Sequence, residues 1–356
     1  MKKSLLVLGK SGTIPYVDKV RQRFFSYAEK AGFDVQQADY HEIGTLRGFK
    51  NGTINIMFLF PTTFWDAEME TPRDTQLYGT SKKAYEKYSD YFLQVRARLE
   101  QRFRGHTLNY AIAPENAAFD LDKIDTVRRL RACMVPTPES LSYTSVNDLV
   151  DSITPERGIF IKCRYGNCGK GITVLHRGRW VTNYKVEQNG LGNHGVYDAW
   201  SFTDITGRRD LLEQLLQHEV IVEREIIVPN QYDGKKFDLR AYVVGGTVPH
   251  FFVRVNDPDK EVTNFAQGAK VIHNPHTGLT ESCMRLISQI AKQAAEALGL
   301  RFVGIDFMFD KSMDQPKVVE MQVFTGFPDP YFNLCEYMIS DRSGLFERSW
   351  RTQRKN

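Results

Sequence analysis

Hydrophobic positions in the first hundred residues fall into short continuous runs and longer segments with helical spacing. Residues 4–8 and 54–60 are apolar runs typical of buried strands, and residues 17–31 repeat their apolar positions with the period of an amphipathic helix. A second helix is predicted over 81–104 and a last strand over 108–112. Strands and helices in this alternation indicate a small α/β domain with a parallel sheet.

After residue 113 the pattern changes to short apolar runs bounded by glycine, proline and asparagine, which is typical of strands. Residues 159–163 and 172–174 predict two strands joined by a glycine-rich turn, and residues 304–309 and 318–324 predict an antiparallel hairpin. A clear amphipathic helix over 281–298 precedes that hairpin. No helix pattern follows the glycine-rich turn, so neither a Rossmann fingerprint nor a Walker loop is predicted there.

Two segments show no clear periodicity. Residues 61–80 carry aromatic and charged side chains, and residues 180–207 are polar and rich in asparagine and glycine. We expect long irregular connections at both segments. Because loops of this kind often carry binding residues, they are where we expect the substrate to be selected.

Composition excludes several classes of protein. With 356 residues, 42% hydrophobic and 25% charged, the chain fits a globular enzyme or binding protein of two or three domains. Its net charge of +4, without a basic block, argues against nucleic acid as the main partner. Five scattered cysteines without a Cys-x-x-Cys spacing argue against disulfides and structural zinc. The first apolar run is too short for a signal peptide, so we expect a cytoplasmic protein that binds no membrane.

The predicted C-terminal hairpin carries an acid on each strand within apolar surroundings. Asp306 lies on the first strand, and Glu320 and Gln322 lie two residues apart on the second. Because residues two apart share a face and paired strands lie about 5 Å apart, the three side chains can converge. Carboxylate and amide oxygens suit Mg²⁺. Solvated acids on an exposed sheet face explain this pattern equally well.

Two further patterns place cations where an anion can bind. Lys162 ends a strand and precedes the glycine-rich turn 166–171, whose backbone N–H groups can close on a phosphate. Alternation puts Lys236, Asp238 and Arg240 on one side of a strand, where they can line a charged ligand. A plain hairpin turn with a surface lysine, and a solvent-exposed polar face, explain these patterns without a ligand.

The order of these motifs along the chain is stronger evidence for a protein family than any single motif. The series is Asp122-Lys123 before a helix, Lys162 before the glycine-rich turn, Glu223-Arg224-Glu225-Ile226, Asp238-x-Arg240, and Gly304-Ile305-Asp306 followed by Glu320-x-Gln322. Together these motifs resemble the ATP-grasp superfamily, and within it carboxylate–amine ligases such as ribosomal protein S6 glutamate ligase and glutathione synthetase. The stretch 236–240 is also similar to the tubulin-tyrosine-ligase pattern. The resemblance covers about 119–328.

This resemblance implies a fold class and a division into domains. The expected fold is α/β with α+β character, an ATP-grasp fold preceded by a small parallel-sheet α/β domain. The expected parts are an N-terminal substrate domain over 1–113, a central subdomain with the glycine-rich lid over 114–219, a C-terminal subdomain with the metal site over 220–345, and a tail over 346–356.

The resemblance also implies roles for individual residues. The expected catalytic residues, which contact the transferred phosphate or the acyl phosphate, are Arg254, Arg240 and Lys162. The expected metal ligands are Asp306, Glu320 and Gln322. Most relatives carry Asn at the last of these positions, so the ligand reach differs here. The expected nucleotide-binding residues are Lys123, Lys162, Gly166, Gly169, Gly171, Glu223, Arg224, Glu225, Ile226, Lys236, Asp238 and Arg240.

The activity implied is that of an ATP-dependent carboxylate–amine ligase. Such an enzyme phosphorylates a carboxylate, releases ADP and lets an amine displace phosphate from the acyl phosphate. The implied cofactors are ATP and Mg²⁺, as two ions or with Mn²⁺ in their place, and the implied partners are a small carboxylate and an amino acid or peptide. A carrier-bound or protein substrate, a phosphotransferase that stops at phosphorylation, a non-catalytic ATP-binding module and any oligomeric state stay open.

Overall fold

The computed structural model describes residues 3–9, 15–50, 52–70, 76–195, 198–229, 232–273, 279–328 and 331–346. Three sheets follow one another along the chain, one parallel and two antiparallel. No helix within these ranges is both long and apolar enough to cross a membrane. Nearly all of the predicted tail 346–356, and residues 71–75 of the predicted loop 61–80, lie outside the described residues.

The first sheet is parallel and occupies the N-terminal part, as predicted. Its elements are β1 (Ser4–Leu8), α1 (Pro15–Lys30), β2 (Asp34–Ala38), β3 (Thr53–Phe58), α2 (Thr62–Glu68), α3 (Lys82–Arg102) and β4 (Thr107–Tyr110). The strand order is β2-β1-β3-β4, and every strand pair is parallel. All five residues of β1 are buried, as expected for a central strand covered on both faces.

Helix α3 shows how the sequence pattern builds this part. Its buried positions recur every three or four residues and include Tyr88, Phe92 and Leu99, which gives one apolar stripe facing the core. The helix begins after Ser81, whose hydroxyl accepts a hydrogen bond from the backbone N–H of Ala84. The stripe therefore fixes which face of α3 is buried, and the cap fixes where the helix starts.

The second sheet is antiparallel and carries the glycine-rich turn between two of its strands. Its elements and their neighbours are α4 (Lys123–Ala132), α5 (Val146–Asp151), β5 (Ile159–Cys163), β6 (Ile172–His176), β7 (Arg179–Thr182), β8 (Lys185–Glu187), β9 (Gly190–Gly192), β10 (Thr203–Asp204), α6 (Arg209–Leu216) and β11 (Val220–Arg224). The strand order is β10-β7-β6-β5-β11, and β8 pairs with β9 separately.

The third sheet is also antiparallel, with the order β14-β13-β12-β15-β16. Its elements are β12 (Lys236–Val244), β13 (Thr247–Asn256), β14 (Lys270–Ile272), α7 (Glu281–Ala297), β15 (Phe302–Met308), β16 (Lys317–Gln322) and α8 (Leu334–Ile339). The predicted C-terminal hairpin is confirmed as β15 and β16. Its register pairs Asp306 with Glu320 and Gly304 with Gln322.

The structure corrects both predicted loops. Within 61–80, residues 62–68 form α2, because Thr62 and Trp65 pack one side of a short helix into the core. Within 180–207, the chain forms the short strands β8, β9 and β10 and continues β7, and Trp200 is buried beside them. Strands of two to four residues are too short to show a period of two, so only pairing with neighbours reveals them.

Candidate active site

A cavity of about 350 Å³ is lined by β5 and β11 of the second sheet and by β12, β13, β15 and β16 of the third. This volume is in the usual range for sites that hold small organic ligands. The cations of its lining are Lys123, Lys162, Lys170, Arg224, Lys236 and Arg254, and the acids are Glu223, Glu225, Asp238, Glu261, Asp306 and Glu320. Apolar side chains, including Phe160, Ile172 and Met308, complete the lining.

Lys123 is the first residue of α4 and reaches from the helix start towards two parts of the cavity. Its Nζ donates a hydrogen bond to the carbonyl oxygen of Gly166 and lies 3.7 Å from Oε1 of Glu320. The helix is capped by Asp122, whose carboxylate also accepts two hydrogen bonds from Arg164, at 2.8 and 2.7 Å. The cap therefore fixes the position of a lysine between the glycine-rich turn and β16.

Lys162 lies on β5 and faces the cavity from the opposite sheet. Its Nζ donates a hydrogen bond of 2.6 Å to Oε2 of Glu223 on β11. Glu223 is only 3% exposed, and Lys162 Nζ is the one cation that pairs with it within the described part of the chain. A buried carboxylate needs such a partner, so the lysine has a structural contact as well as access to a ligand.

The glycine-rich turn needs glycine for two separate reasons. At Gly169 and Gly171 the backbone has φ of +70° and +69°, a conformation that side chains rarely adopt. At Gly166 the reason is space, because an added Cβ would lie 2.2 Å from the sulfur of Cys163. The amide of Asn183 donates to the Gly169 carbonyl at 2.7 Å. The turn therefore lies close against β5 and the strands that follow it.

The segment after β11 offers backbone groups to the cavity. The carboxylate of Glu225 accepts hydrogen bonds from the backbone N–H of Gly158 at 2.8 Å and from His176 Nε2 at 3.0 Å, so it is used within the second sheet. The N–H groups of Ile226, Ile227 and Val228 donate to no other backbone carbonyl within the described residues. These three residues line the cavity, where their backbone can pair with a planar heterocycle.

The third sheet contributes a buried network of four charged side chains. Arg240 donates to Asp306 at 2.7 and 2.8 Å, and Arg254 donates to the same carboxylate at 2.8 Å. Arg254 also donates to Asp238 at 2.7 and 2.6 Å. Each of the four residues is at most 6% exposed. Two positive and two negative groups balance, which satisfies the requirement that buried charges be paired.

The charges of this network shift one pKa strongly. Burial alone would raise the pKa of Asp306, but the guanidinium groups of Arg240 and Arg254 outweigh it and lower the pKa to about 2. The carboxylate therefore stays ionised at any ordinary pH. The alternative explanation from the sequence, a solvent-exposed polar face, is wrong for Asp238, Arg240 and Asp306, since all three are buried.

The donor atoms near β15 and β16 fit a hard divalent cation. Oδ1 of Asp306 accepts a single hydrogen bond, from Arg240 Nε, so a lone pair of that oxygen is left for a cation. Glu320 is paired with Asp306 across the strands and lines the same cavity. Among the described residues no three His, Cys, Asp or Glu side chains cluster as a complete metal site. Two carboxylates suffice for Mg²⁺, which commonly completes its octahedron with water and phosphate oxygens.

The cavity brings together most of the predicted site residues, but three of them do not line it. Arg240 lies behind Asp306, Gly171 packs against Cys163, and Gln322 donates weakly to Glu320 at 3.4 Å from beside the cavity. The predicted residues that do line it are Lys123, Lys162, Gly166, Gly169, Glu223, Arg224, Glu225, Ile226, Lys236, Asp238, Arg254, Asp306 and Glu320.

Sequence reasoning missed Lys170 and its partner Glu70. Lys170 lines the cavity from within the glycine-rich turn, and its Nζ pairs with the buried carboxylate of Glu70, which follows α2. Glu70 also accepts a hydrogen bond of 2.8 Å from the indole N–H of Trp65. Lys170 is a cation between two glycines, which is a signal for an anion-binding turn. Glu70 gave no signal, because its partner lies 100 residues away in the sequence.

Solved structures with this architecture include ATP-grasp ligases. One is ATP-grasp ligase PsnB in complex with a phosphomimetic variant of its minimal precursor, Mg and ADP, at a TM-score of 0.55 and 12% identity, covering 98% of this chain and 99% of that one. Another is D-alanine–D-alanine ligase from Bacillus anthracis in complex with ATP, at a TM-score of 0.54 and 9% identity, covering 98% and 95%. At these identities the similarity establishes the fold alone.

Sequence comparison is more specific. The chain is 24% identical over 209 residues to the tetrahydromethanopterin:alpha-L-glutamate ligase of Methanococcus maripaludis, which covers 58% of this chain and 57% of that protein. The match thus spans less than two thirds of that relative. Residues 116–315 match the family model described as YheC/D like ATP-grasp. This match covers more than half of the chain, so the chain belongs to the YheC/D-like ATP-grasp family.

Proposed function

We propose that this protein is an ATP-dependent ligase that forms an amide bond between a carboxylate and an amine. The observation that carries the proposal is the lining of the cavity, which brings Lys123 and Lys162, from two elements, together with the carboxylates of Asp306 and Glu320. Family membership and the ATP-grasp ligases among similar structures support this assignment. The division at residues 113, 219 and 345 stays a prediction; the parallel sheet ends before residue 113, whereas β11 continues the second sheet past residue 219.

In the proposed reaction the protein supplies binding and charge rather than a nucleophile. The adenine is held by the backbone of 226–228, and Lys123 and Lys162 bind phosphate oxygens. Transfer of the terminal phosphoryl group to a substrate carboxylate oxygen releases ADP. Attack of the amine nitrogen on the acyl carbon then expels phosphate, and the nitrogen gives up one proton. Arg254 lines the cavity and is proposed to stabilise the charge of the reacting phosphate.

Mg²⁺ is proposed to be held by Asp306 and Glu320, with Gln322 close to the second of them. When bound, it neutralises phosphate charge and orients the transferring group. The glycine-rich turn is proposed to close over the phosphates and exclude water, since an acyl phosphate hydrolyses if water reaches it.

The amine class is proposed from the relatives. The curated relative is named a tetrahydromethanopterin:alpha-L-glutamate ligase, and another structure of PsnB contains the precursor peptide PsnA2. An amino acid or a peptide is therefore the first class of acceptor to test, with carrier-bound and protein substrates next.

The proposed function is tested by incubating the full chain with ATP, Mg²⁺ and a panel of amino acids and small carboxylic acids. ADP release is followed by a coupled enzyme assay, and products are identified by mass. Hydroxylamine in place of the amine traps an acyl phosphate as a hydroxamate. ADP with an amide product supports the ligase, whereas ADP with a stable phosphorylated product would show a phosphotransferase.

Two variants make the test specific to the site. Glu320→Gln keeps the side-chain shape but removes one negative charge from the proposed metal site, so ADP release should fall at least about 100-fold. Glu115→Gln removes the same charge from an exposed side chain and should leave ADP release unchanged. Equal activity of the two variants would reject the proposed role of Glu320.

A further inference from the structure

A second, smaller cavity lies directly beside the first, on the far side of Glu320. Its volume is about 30 Å³, and the parallel sheet region, the segment before α4, the glycine-rich turn and β16 all contribute to it. One water-sized group needs about 10–15 Å³, so the cavity has room for a group of two heavy atoms. The residues that line it are Phe60, Trp65, Tyr88, Asp120, Leu121, Gly166, Asn167, Glu320, Met321, Gln322 and Phe324.

This cavity is lined by acidic side chains. Asp120 and Glu320 both line it, and no Lys or Arg is among its described lining residues. Oδ2 of Asp120 accepts a hydrogen bond of 2.9 Å from the backbone N–H of Val323, and no described side chain donates to this carboxyl. A half-buried carboxyl group beside an open space, without a side-chain donor among the described residues, is suited to a donor that comes with a ligand.

The remaining walls are largely aromatic. Trp65 lies 5.3 Å from Phe60 and 5.5 Å from Tyr88, and Phe60 lies 5.9 Å from Phe324, measured between ring centroids. Aromatic rings attract an organic cation that lies over their faces. Mg²⁺ usually keeps several water molecules around it, and a cavity of about 30 Å³ has no room for them. The small volume and the aromatic walls therefore favour an ammonium group over a hydrated metal ion.

We propose that this cavity binds a primary ammonium group of the substrate, with Asp120 as its ion-pair partner. The inference rests on the proposed ligase function and names the substrate class, a compound with a primary amino group. Glu320 lines both cavities, so an ammonium group bound here lies next to the proposed site of phosphoryl transfer. The amino group belongs either to the carboxylate substrate or to the attacking amine, which in the second case gives one proton to the Asp120 carboxylate before it attacks and a second proton to solvent as the amide forms.

Binding is tested first without turnover, with methylammonium as the probe. Saturation-transfer NMR should show transfer from the full-length protein to the methyl group of methylammonium, and none to methanol, its neutral analogue. Asp120→Asn should weaken methylammonium binding about tenfold or more, because a charge-assisted hydrogen bond is lost. Glu115→Gln, which removes an exposed acid a few residues earlier, should bind as the wild type does.

Two further readouts keep this test decisive. Intermolecular NOEs from the methyl protons to the rings of Trp65 and Tyr88 locate the probe in the wild type, even if Asp120→Asn does not fold. Saturating Mg²⁺ and ADP should leave the transfer in place. Absence of transfer in the wild type, equal transfer in Asp120→Asn, or displacement of methylammonium by Mg²⁺ alone would overturn the proposal.

Turnover then shows which substrate carries the amino group. If it belongs to the carboxylate substrate, its deaminated analogue should form hydroxamate at least tenfold more slowly with the wild type, but Asp120→Asn should treat both alike. If it belongs to the attacking amine, Asp120→Asn should slow amide formation and spare hydroxamate formation. Failure of every substrate to release ADP would reject the ligase function while leaving methylammonium binding as a separate result. Turnover unaffected by Asp120→Asn would overturn the substrate assignment.

Discussion

The two sheets that line the larger cavity hold their charges in different ways. In the third sheet, four buried side chains bind one another, and Asp306 alone accepts three hydrogen bonds from two arginines. In the second sheet, Lys162 pairs with a single carboxylate, and its side chain is 20% exposed. The four charges of the third sheet are buried and balance one another. The second sheet leaves a cation at the edge of the cavity.

This difference separates rigid from adjustable parts of the site. Releasing one member of the buried network leaves an uncompensated charge in a low dielectric, so those side chains stay in place when a ligand arrives. Lys162 can exchange its contact with Glu223 for a phosphate oxygen at lower cost, since solvent already reaches it. The third sheet is thus expected to position the reacting groups, and the second sheet to adapt to the nucleotide.

The largest effect is predicted for a substitution that breaks the buried charge network of the third sheet. Asp306→Ala leaves Arg240 and Arg254 buried without the carboxylate that both contact, so the free energy of unfolding should fall by about 3–5 kcal/mol. Chemical denaturation followed by circular dichroism measures this. Glu320→Ala is the matched control: its side chain is 24% exposed, and its loss should cost less than about 1 kcal/mol. Equal losses in the two variants would contradict a special role for the network.

The next largest effect is predicted for a substitution of Lys162 in the second sheet. Lys162→Met should reduce ATP turnover by about 100-fold, because one positioned phosphate contact is lost. It should also lower the free energy of unfolding by about 1–3 kcal/mol, since Glu223 loses its partner.

The double variant Lys162→Met, Glu223→Gln separates these two consequences. Stability should return towards the wild-type value, because the buried charge is gone, but turnover should stay low. If turnover recovers together with stability, Lys162 supports the fold and does not bind the nucleotide.

The sequence predicted the fold wherever an element has a clear apolar pattern. The parallel sheet of the N-terminal part, helix α3 and the hairpin of β15 and β16 were all predicted, because continuous apolar runs mark buried strands and longer segments between them mark helices. The short strands β8 to β10 could not be predicted in this way. Their position depends on pairing and on buried residues such as Trp200, which local sequence does not encode.

The site was predicted in its order along the chain but not in its contacts. Asp306 and Glu320 could be placed across a hairpin from strand geometry alone. That Asp306 also binds Arg240 and Arg254 depends on the order β13-β12-β15, which brings β15 beside a hairpin that is distant from it in the sequence. The position of Asp120 beside Trp65 and Tyr88 depends on packing between separate sheets, and no spacing along the sequence indicates it.

The smallest effect is predicted for another charge pair of the second sheet, where His176 at the end of β6 pairs with Glu225. The hydrogen bond to Glu225 raises the pKa of His176 in the folded state. Folding therefore gains stability from the protonated ring below its ordinary pKa of about 6.5, and this gain is lost as the pH rises through the raised value. Burial raises the pKa of Glu225, but the contacts with His176 and Gly158 outweigh burial and lower this pKa. The stability that the Glu225 carboxylate contributes is therefore lost as the pH falls through the lowered value.

His176→Gln should consequently destabilise the protein by about 0.2–1 kcal/mol near pH 6 and by less near pH 9, as measured by urea denaturation at the two pH values. The matched control is the same substitution in a Glu225→Gln background, where the pH dependence of the difference should disappear. A difference that is constant from pH 6 to pH 9 would mean that His176 acts through packing. The charge pair between His176 and Glu225 would then contribute nothing to the stability of the second sheet.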